Sequence, residues 1–206
     1  MINQSTITKL NEMRLTAMAD SYRDQLSDSK YQELSFEERL GLMVDIEWSR
    51  RKTNKLARLI KQAQFRFPEA CMEDIEYHPD RKLDKTQLLR LATCNYIQEK
   101  HNIIIMGAAG NGKTYMGCAF GIAACRNYYT VKYVRLPDLL NELAVARGEG
   151  VYQKVMKQYK KVSLLILDEW LLRPLREPQA MDVLEIVEAR HQTGSTIFCS
   201  QFDPRG

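Results

Sequence analysis

The chain changes its hydrophobic rhythm near residue 100. Before that point apolar positions recur at helical spacing: Leu15, Met18, Ala19, Tyr22 and Leu26 follow the i, i+3, i+4, i+7 pattern of one buried face. Ser35 to Glu38 reads S-F-E-E, a capping box in which the serine oxygen and the glutamate carboxylate each satisfy an amide at a helix start. A helix is therefore expected from Phe36. Only Gly41 interrupts good helix formers before Phe67-Pro68, so this helix is expected to run, long or bent, to about Phe65. Residues 68–84 mix acids, two prolines and little periodicity, as a connector does. The segment DKTQLLRLATCNYIQ then predicts one more capped helix, with Leu88, Leu91, Ala92 and Tyr96 on one side.

Beyond it, short apolar runs alternate with helical segments. The runs are NIIIM, VKYVRL, SLLILDE and STIFCS, and three of them are almost uninterrupted, as parallel strands covered on both faces would be. Helices are expected over 113–126, 137–147, 151–160 and 179–191. The pattern predicts an α/β fold, a parallel sheet flanked by helices and preceded by a small all-helical domain. The boundary is placed at residue 70, with 1–70 helical, 71–206 the α/β core, and the linker at about 68–84.

Composition narrows this further. With 45% hydrophobic and 27% charged residues the chain is an ordinary globular one. No apolar run approaches the roughly 18 residues needed to cross a bilayer, and the N-terminus lacks the form of a secretory signal, so the cytoplasm is expected. The odd count of five cysteines, with no C-x-x-C pair, reads as reduced core residues; the three histidines lie apart from one another. Residues 1–80 hold 12 Lys+Arg against 14 Asp+Glu, and residues 81–206 hold 18 against 12. Yet the acidic front part contains the most basic stretch of the chain.

Gly107 to Thr114 reads GAAGNGKT, the G-x-x-x-x-G-K-[ST] form of a phosphate-gripping loop between a strand and a helix. Gly107, Gly110 and Gly112 let backbone amides approach phosphate oxygens, and the following helix start adds partial positive charge. Lys113 supplies a cation to the β and γ phosphates, and the Thr114 hydroxyl is a ligand for Mg²⁺. Gly117 and Gly121, inside the next helix, are expected to serve close packing on the sheet. Asp168 and Glu169 end an apolar strand where ligands gather in open parallel sheets. Asp168 is the expected Mg²⁺ ligand, and Glu169 the base that deprotonates a water for attack on the γ-phosphate. Such a pair favours hydrolysis over transfer to a metabolite. At the end of STIFCSQ, either Ser200 or Gln201 is a candidate to sense that phosphate.

Residues 48–67 carry seven basic residues and no acid. On a helix, Arg51, Lys55 and Arg58 line up opposite Leu56, Leu59, Ile60 and Ala63. With Arg50 and Lys61 they form a candidate stripe for the phosphates of nucleic acid. Lys154, Lys157, Lys160 and Lys161 form a weaker cluster, read first as a solvated face.

The order of this basic helical part, GAAGNGKT, LLILDEW with LLRPL, and EARHQTGSTIFCSQFDP resembles the IstB-like ATP-binding proteins that assist insertion-sequence transposases. These are similar to DnaC-type helicase loaders within the AAA+ ATPases, and the likeness runs over nearly the whole chain. The resemblance implies a bacterial, nucleoid-associated, oligomeric ATPase that binds and remodels double-stranded DNA and recruits a transposase. A replicative helicase loader is the alternative. It also implies that Gly107, Gly110, Asn111, Gly112, Lys113, Thr114 and Tyr115 hold ATP, with Thr114 and Asp168 on Mg²⁺ and Ser200-Gln201 at the sensor position. Asn111 and Tyr115 stand where relatives often carry threonine and histidine, and Trp170-Leu171-Leu172 replaces an aromatic-glycine pair. The chain ends at FDPRG, where relatives continue into a further strand, a lid and intersubunit arginines, so it is expected to be shortened, with weak hydrolysis and altered assembly.

Overall fold

The computed structural model describes residues 2–77 and 83–201. His78 and the chain end, with Arg205, lie outside the described residues. Two compact units are present, Met1–Ala57 and Arg58–Gly206.

In the first unit, α1 (Ile2–Glu12) and α2 (Thr16–Ser27) meet through Ile7, Leu10 and Ala19, with Leu15, Met18 and Tyr22 packed against them. Leu26 does not join this face and is exposed. Gln25 is buried instead, because its amide donates to the Arg39 carbonyl at 2.9 Å and accepts from Arg39 Nε at 3.2 Å. The long helix α3 (Phe36–Ala63) opens on the expected capping box, with Ser35 N donating to Glu38 Oε2 at 2.8 Å and Glu38 N to Ser35 Oγ at 3.2 Å. The division between units falls inside α3, ahead of the boundary expected at residue 70. Leu59, Ala63 and Phe65 are buried, and the Phe65 ring lies so close to Gly121 that a Cβ there would clash with it. The last turns of α3 thus belong to the second unit.

The second unit is built on a four-stranded parallel sheet in the order β1-β4-β3-β2, formed by β1 (Ile103–Met106), β2 (Val131–Arg135), β3 (Leu164–Asp168) and β4 (Ser195–Ser200). The helix after the phosphate loop, α6 (Lys113–Arg126), packs on one face. Gly117 and Gly121 make that approach possible, since a Cβ would meet Cys199 Sγ at 3.1 Å from Gly117 and Ile166 at 2.8 Å from Gly121. Strand alternation turns Leu165 and Leu167 to the other face. There they join Leu139, Leu143, Met156, Tyr159 and Ile186 of α7 (Leu136–Gly148), α8 (Tyr152–Lys161) and α9 (Glu177–Arg190). The two central strands are covered as expected. At the sheet edge, however, Ile104 and Met106 of β1 are about half exposed, at 53% and 50%.

The segment expected as one helix is two, α4 (Lys85–Ala92) and α5 (Asn95–Gln98). Cys94 breaks it by adopting a left-handed φ of 64°, while the Thr93 hydroxyl takes the Arg90 carbonyl at 2.8 Å. Cys94, Cys118, Cys125 and Cys199 are buried free thiols. Arg190 is also buried, and it ties three segments together by donating to the carbonyls of Tyr159 (2.9 Å), Val162 (2.8 Å) and Ser195 (2.5 Å).

Candidate functional site

Gly110 (φ 82°) and Gly112 (φ 76°) take left-handed conformations that side chains disfavour, which turns the loop from β1 into the start of α6. Lys113, the first residue of α6, donates its ammonium to the Ala108 carbonyl at 2.7 Å. Thr114 and Asp168 come together from elements 54 residues apart: Thr114 Oγ1 donates to Asp168 Oδ2 at 2.7 Å. They border a cavity of ≈ 330 Å³ lined also by Gly110, Gly112, Lys113 and Glu169. A hydroxyl and a carboxylate converging beside a phosphate loop are the hard oxygen donors that suit Mg²⁺.

Two residues absent from the sequence-based site hold the acids in place. Tyr133 donates its hydroxyl to the same Asp168 Oδ2 at 2.8 Å, and burial followed by the Asp168 charge pushes the Tyr133 phenol up. Asp168 Oδ1 accepts from Glu169 N at 2.9 Å, so all three contacts orient a nearly buried carboxylate. Arg135 forms a bidentate pair with Glu169, and its hydrogen bond to that carboxylate is the main reason its pKa is raised. The signal for both lay in VKYVR: residues i and i+2 of a parallel strand share a face, and Arg135 ends the strand where ligands gather.

The two sensor candidates part company. Ser200 is buried and donates to the Trp170 carbonyl at 3.2 Å, whereas Gln201 is exposed and lines the cavity. Asn111 packs beside Gly107, its amide within 3.7 Å of the place a Cβ would take. Tyr115 turns its ring onto Phe67, with centroids 5.9 Å apart, while its hydroxyl accepts from Cys71 N at 3.2 Å and donates to Asp74 at 3.3 Å.

The family model for IstB-like ATP binding proteins matches residues 8–203. This chain belongs to that family. Among similar IstB-like sequences, an ATP-binding protein ascribed to insertion sequence IS1162 of Pseudomonas fluorescens is 39% identical, over 98% of this chain and 87% of the relative. An insertion-sequence ATP-binding protein of Sinorhizobium fredii is 40% identical over 98% and 82%. Among solved structures, AMPPCP-bound DnaA from Aquifex aeolicus superposes with a TM-score of 0.61 at 22% identity, over 67% of this chain and 43% of that one. The DnaC helicase loader gives 0.57 at 18% identity, over 68% and 82%. The chain thus spans less than half of the DnaA structure. The IstB-like core has the P-loop, AAA+ type of fold shared by these proteins.

The basic helix of this IstB-like protein is not uniform. Arg50 pairs with Asp20 at 3.8 Å and contacts the Thr16 hydroxyl. Arg51 donates to Glu47 Oε1 at 2.7 Å and to the Arg14 carbonyl at 2.9 Å. Glu47 is buried and accepts from Ala17 N (2.9 Å) and Met18 N (3.1 Å), capping α2 from a distant helix. Two of the five basic candidates are therefore tied into the fold of the first unit. Lys55, Arg58 and Lys61 are exposed. In the weaker cluster, Lys160 pairs with Glu185 at 2.6 Å. No helix among the described residues is long and apolar enough to cross a membrane.

Proposed function

We propose that this IstB-like protein is an ATPase that assists DNA transposition, holding double-stranded target DNA as a homo-oligomer and recruiting a transposase. The observation that carries the chemistry is the meeting of Thr114 and Asp168 at 2.7 Å beside the phosphate loop. The insertion-sequence names of relatives at 39% and 40% identity support the biological setting.

In this reading the amides of Gly110 and Gly112 and the ammonium of Lys113 grip the phosphates, Lys113 exchanging its Ala108 carbonyl for a phosphate oxygen. Thr114 and Asp168 would hold Mg²⁺, which would supply positive charge to the phosphates. Tyr133 keeps Asp168 aimed. Glu169, once separated from Arg135, accepts the proton of the attacking water. Gln201, which lines the same cavity, is the sensor of the terminal phosphate in this reading. Lys55, Arg58 and Lys61 supply sequence-independent contacts to duplex phosphates, and repetition over an oligomer multiplies them by avidity. The protein works in the cytoplasm, on the nucleoid.

Retention of duplex DNA in a mobility assay, with Mg²⁺ and either ATP, a non-hydrolysable analogue or no nucleotide, tests the reading. ATP-dependent retention that salt weakens and Lys113→Ala abolishes is expected. Equal retention with and without nucleotide would refute it. Capture of a replicative helicase in place of a transposase would identify a loader instead.

A further inference from the structure

Arg66 belongs by sequence to the basic stretch assigned to nucleic acid, but the residue lines the ≈ 330 Å³ cavity with Lys113, Thr114, Asp168 and Glu169, its guanidinium 5.8 Å from the Phe67 ring centre. The chain around it is anchored on both sides. Phe65 is buried against Gly121 of α6, and Phe67 leans on Tyr115 at 5.9 Å. Between these anchors the backbone amides of Arg66 and Phe67 reach the Cys118 sulfur. Gln64 contacts Lys132 of β2, the neighbour of Tyr133. Arg66 thus borders the same cavity as Thr114, Asp168 and Glu169.

In the ATP-binding reading, a triphosphate seated in the phosphate loop would extend beyond a diphosphate toward Thr114, Asp168 and Glu169, which border this cavity. A guanidinium is always charged and offers a planar fork of donors that matches two phosphate oxygens. Among the described residues lining the cavity, the basic side chains are Arg66 and Lys113. We propose that Arg66 is a nucleotide-binding residue, contacting the terminal phosphate of a nucleoside triphosphate from within the same chain and giving the pocket its preference for tri- over diphosphate. The proposal rests on the ATP-binding reading above. Arg66 follows the end of α3 at Ala63 by three residues, so the proposed contact lies close in sequence to the basic helix.

The test is equilibrium binding of ATP and of ADP, each with Mg²⁺, to the parent chain and to Arg66→Ala, Arg66→Lys and Lys113→Ala. Arg66→Ala is expected to weaken ATP by about tenfold or more, the worth of one charged hydrogen bond, and ADP by no more than about twofold. Arg66→Lys restores part of the ATP preference by returning charge without the fork. Lys113→Ala weakens both nucleotides. If Arg66→Ala lowers ATP and ADP affinity by the same factor, or changes neither, Arg66 does not contact the terminal phosphate. A parent chain that binds neither nucleotide would overturn the ATP-binding reading and this proposal with it, whereas a parent that binds both, matched by Arg66→Ala, overturns this proposal alone. Should alanine lower the melting temperature measured without nucleotide, the ratio of ATP to ADP affinity in Arg66→Lys and Arg66→Gln decides, since both keep most of the side chain's length.

Discussion

Arg135 and Glu169 face each other in a two-pronged ion pair, with Nε to Oε1 and Nη2 to Oε2 both at 2.8 Å. A carboxylate with each oxygen engaged by a guanidinium is a poor acceptor for the proton of a water, because accepting it would cost the pair. In the proposed ATPase reading, Glu169 has to leave this pair before it can take a proton from water. Arg135→Ala is expected to raise basal phosphate release from ATP by several-fold to about tenfold, within the range that a positioned base contributes, while nucleotide affinity stays near the parent's. Steady-state phosphate release without DNA measures it. A fall in rate would instead make Arg135 a residue that aims Glu169 productively.

Tyr133 gives Asp168 one of its three hydrogen bonds. Tyr133→Phe keeps the ring and its packing but frees the carboxylate to turn. If Asp168 holds Mg²⁺ as proposed, loss of such an outer contact should cost about tenfold or more in metal affinity. The Mg²⁺ concentration at half-saturation of ATP binding should rise by about that factor, with the melting temperature nearly unchanged. An unaltered Mg²⁺ dependence would limit Tyr133 to packing.

Glu47 predicts an acid-sensitive first unit. Burial alone would raise its carboxyl, but the Arg51 hydrogen bond and the amides of Met18 and Ala17 outweigh burial and hold it below the ordinary value of 4.5. The folded value lies below the unfolded one, so Glu47 contributes its stability fully above the unfolded pKa and loses it as pH falls through the folded pKa. Helical signal should show an unfolding step whose midpoint declines below pH 4.5. Glu47→Gln should lower stability at neutral pH by about 1–3 kcal/mol, the cost of the weakened cap, and flatten the decline. A decline of unchanged size in Glu47→Gln would assign the acid sensitivity to other carboxylates.

On the basic helix Arg50 and Arg51 are tied into the first unit, while Lys55, Arg58 and Lys61 are exposed. Reversal of Lys55, Arg58 and Lys61 to glutamate is expected to weaken duplex binding and to reduce the slope of log affinity against log salt by roughly two to three units, one for each lost phosphate contact. ATP affinity should not change. Arg51→Glu should instead disturb the Glu47 cap and lower thermal stability, so loss of DNA binding in that variant says little about contact. Affinity and salt slope that survive the triple reversal would remove these residues from the DNA surface.

Much of the site was legible because its chemistry is local in sequence. The eight residues of GAAGNGKT, the acids that close LLILDEW and the box at Ser35–Glu38 each combine their groups within one turn or one strand end, so spacing alone announces them. The misses were made by long-range pairing. Tyr133 and Arg135 reach Asp168 and Glu169 because β2 and β3 pair in a parallel register that sets Arg135 opposite Asp168. Arg66 looked like one more charge on a helix, yet the helix ends at Ala63 and the next residues bend onto α6. Leu26 fitted the apolar stripe but lost its place to Gln25, whose hydrogen bonds to Arg39 no periodicity could foretell.

By itself, then, the order of residues determined the parallel α/β core, the phosphate loop and the two acids, since each follows from backbone period and from groups adjacent along the chain. Tertiary structure alone decided which side chains hold those acids, that Arg50 and Arg51 are tied into the first unit, and that Arg66 lines the cavity beside the phosphate loop. Those outcomes depend on strand register and on the packing of segments far apart in sequence, where a shift of one residue turns a side chain to the opposite face.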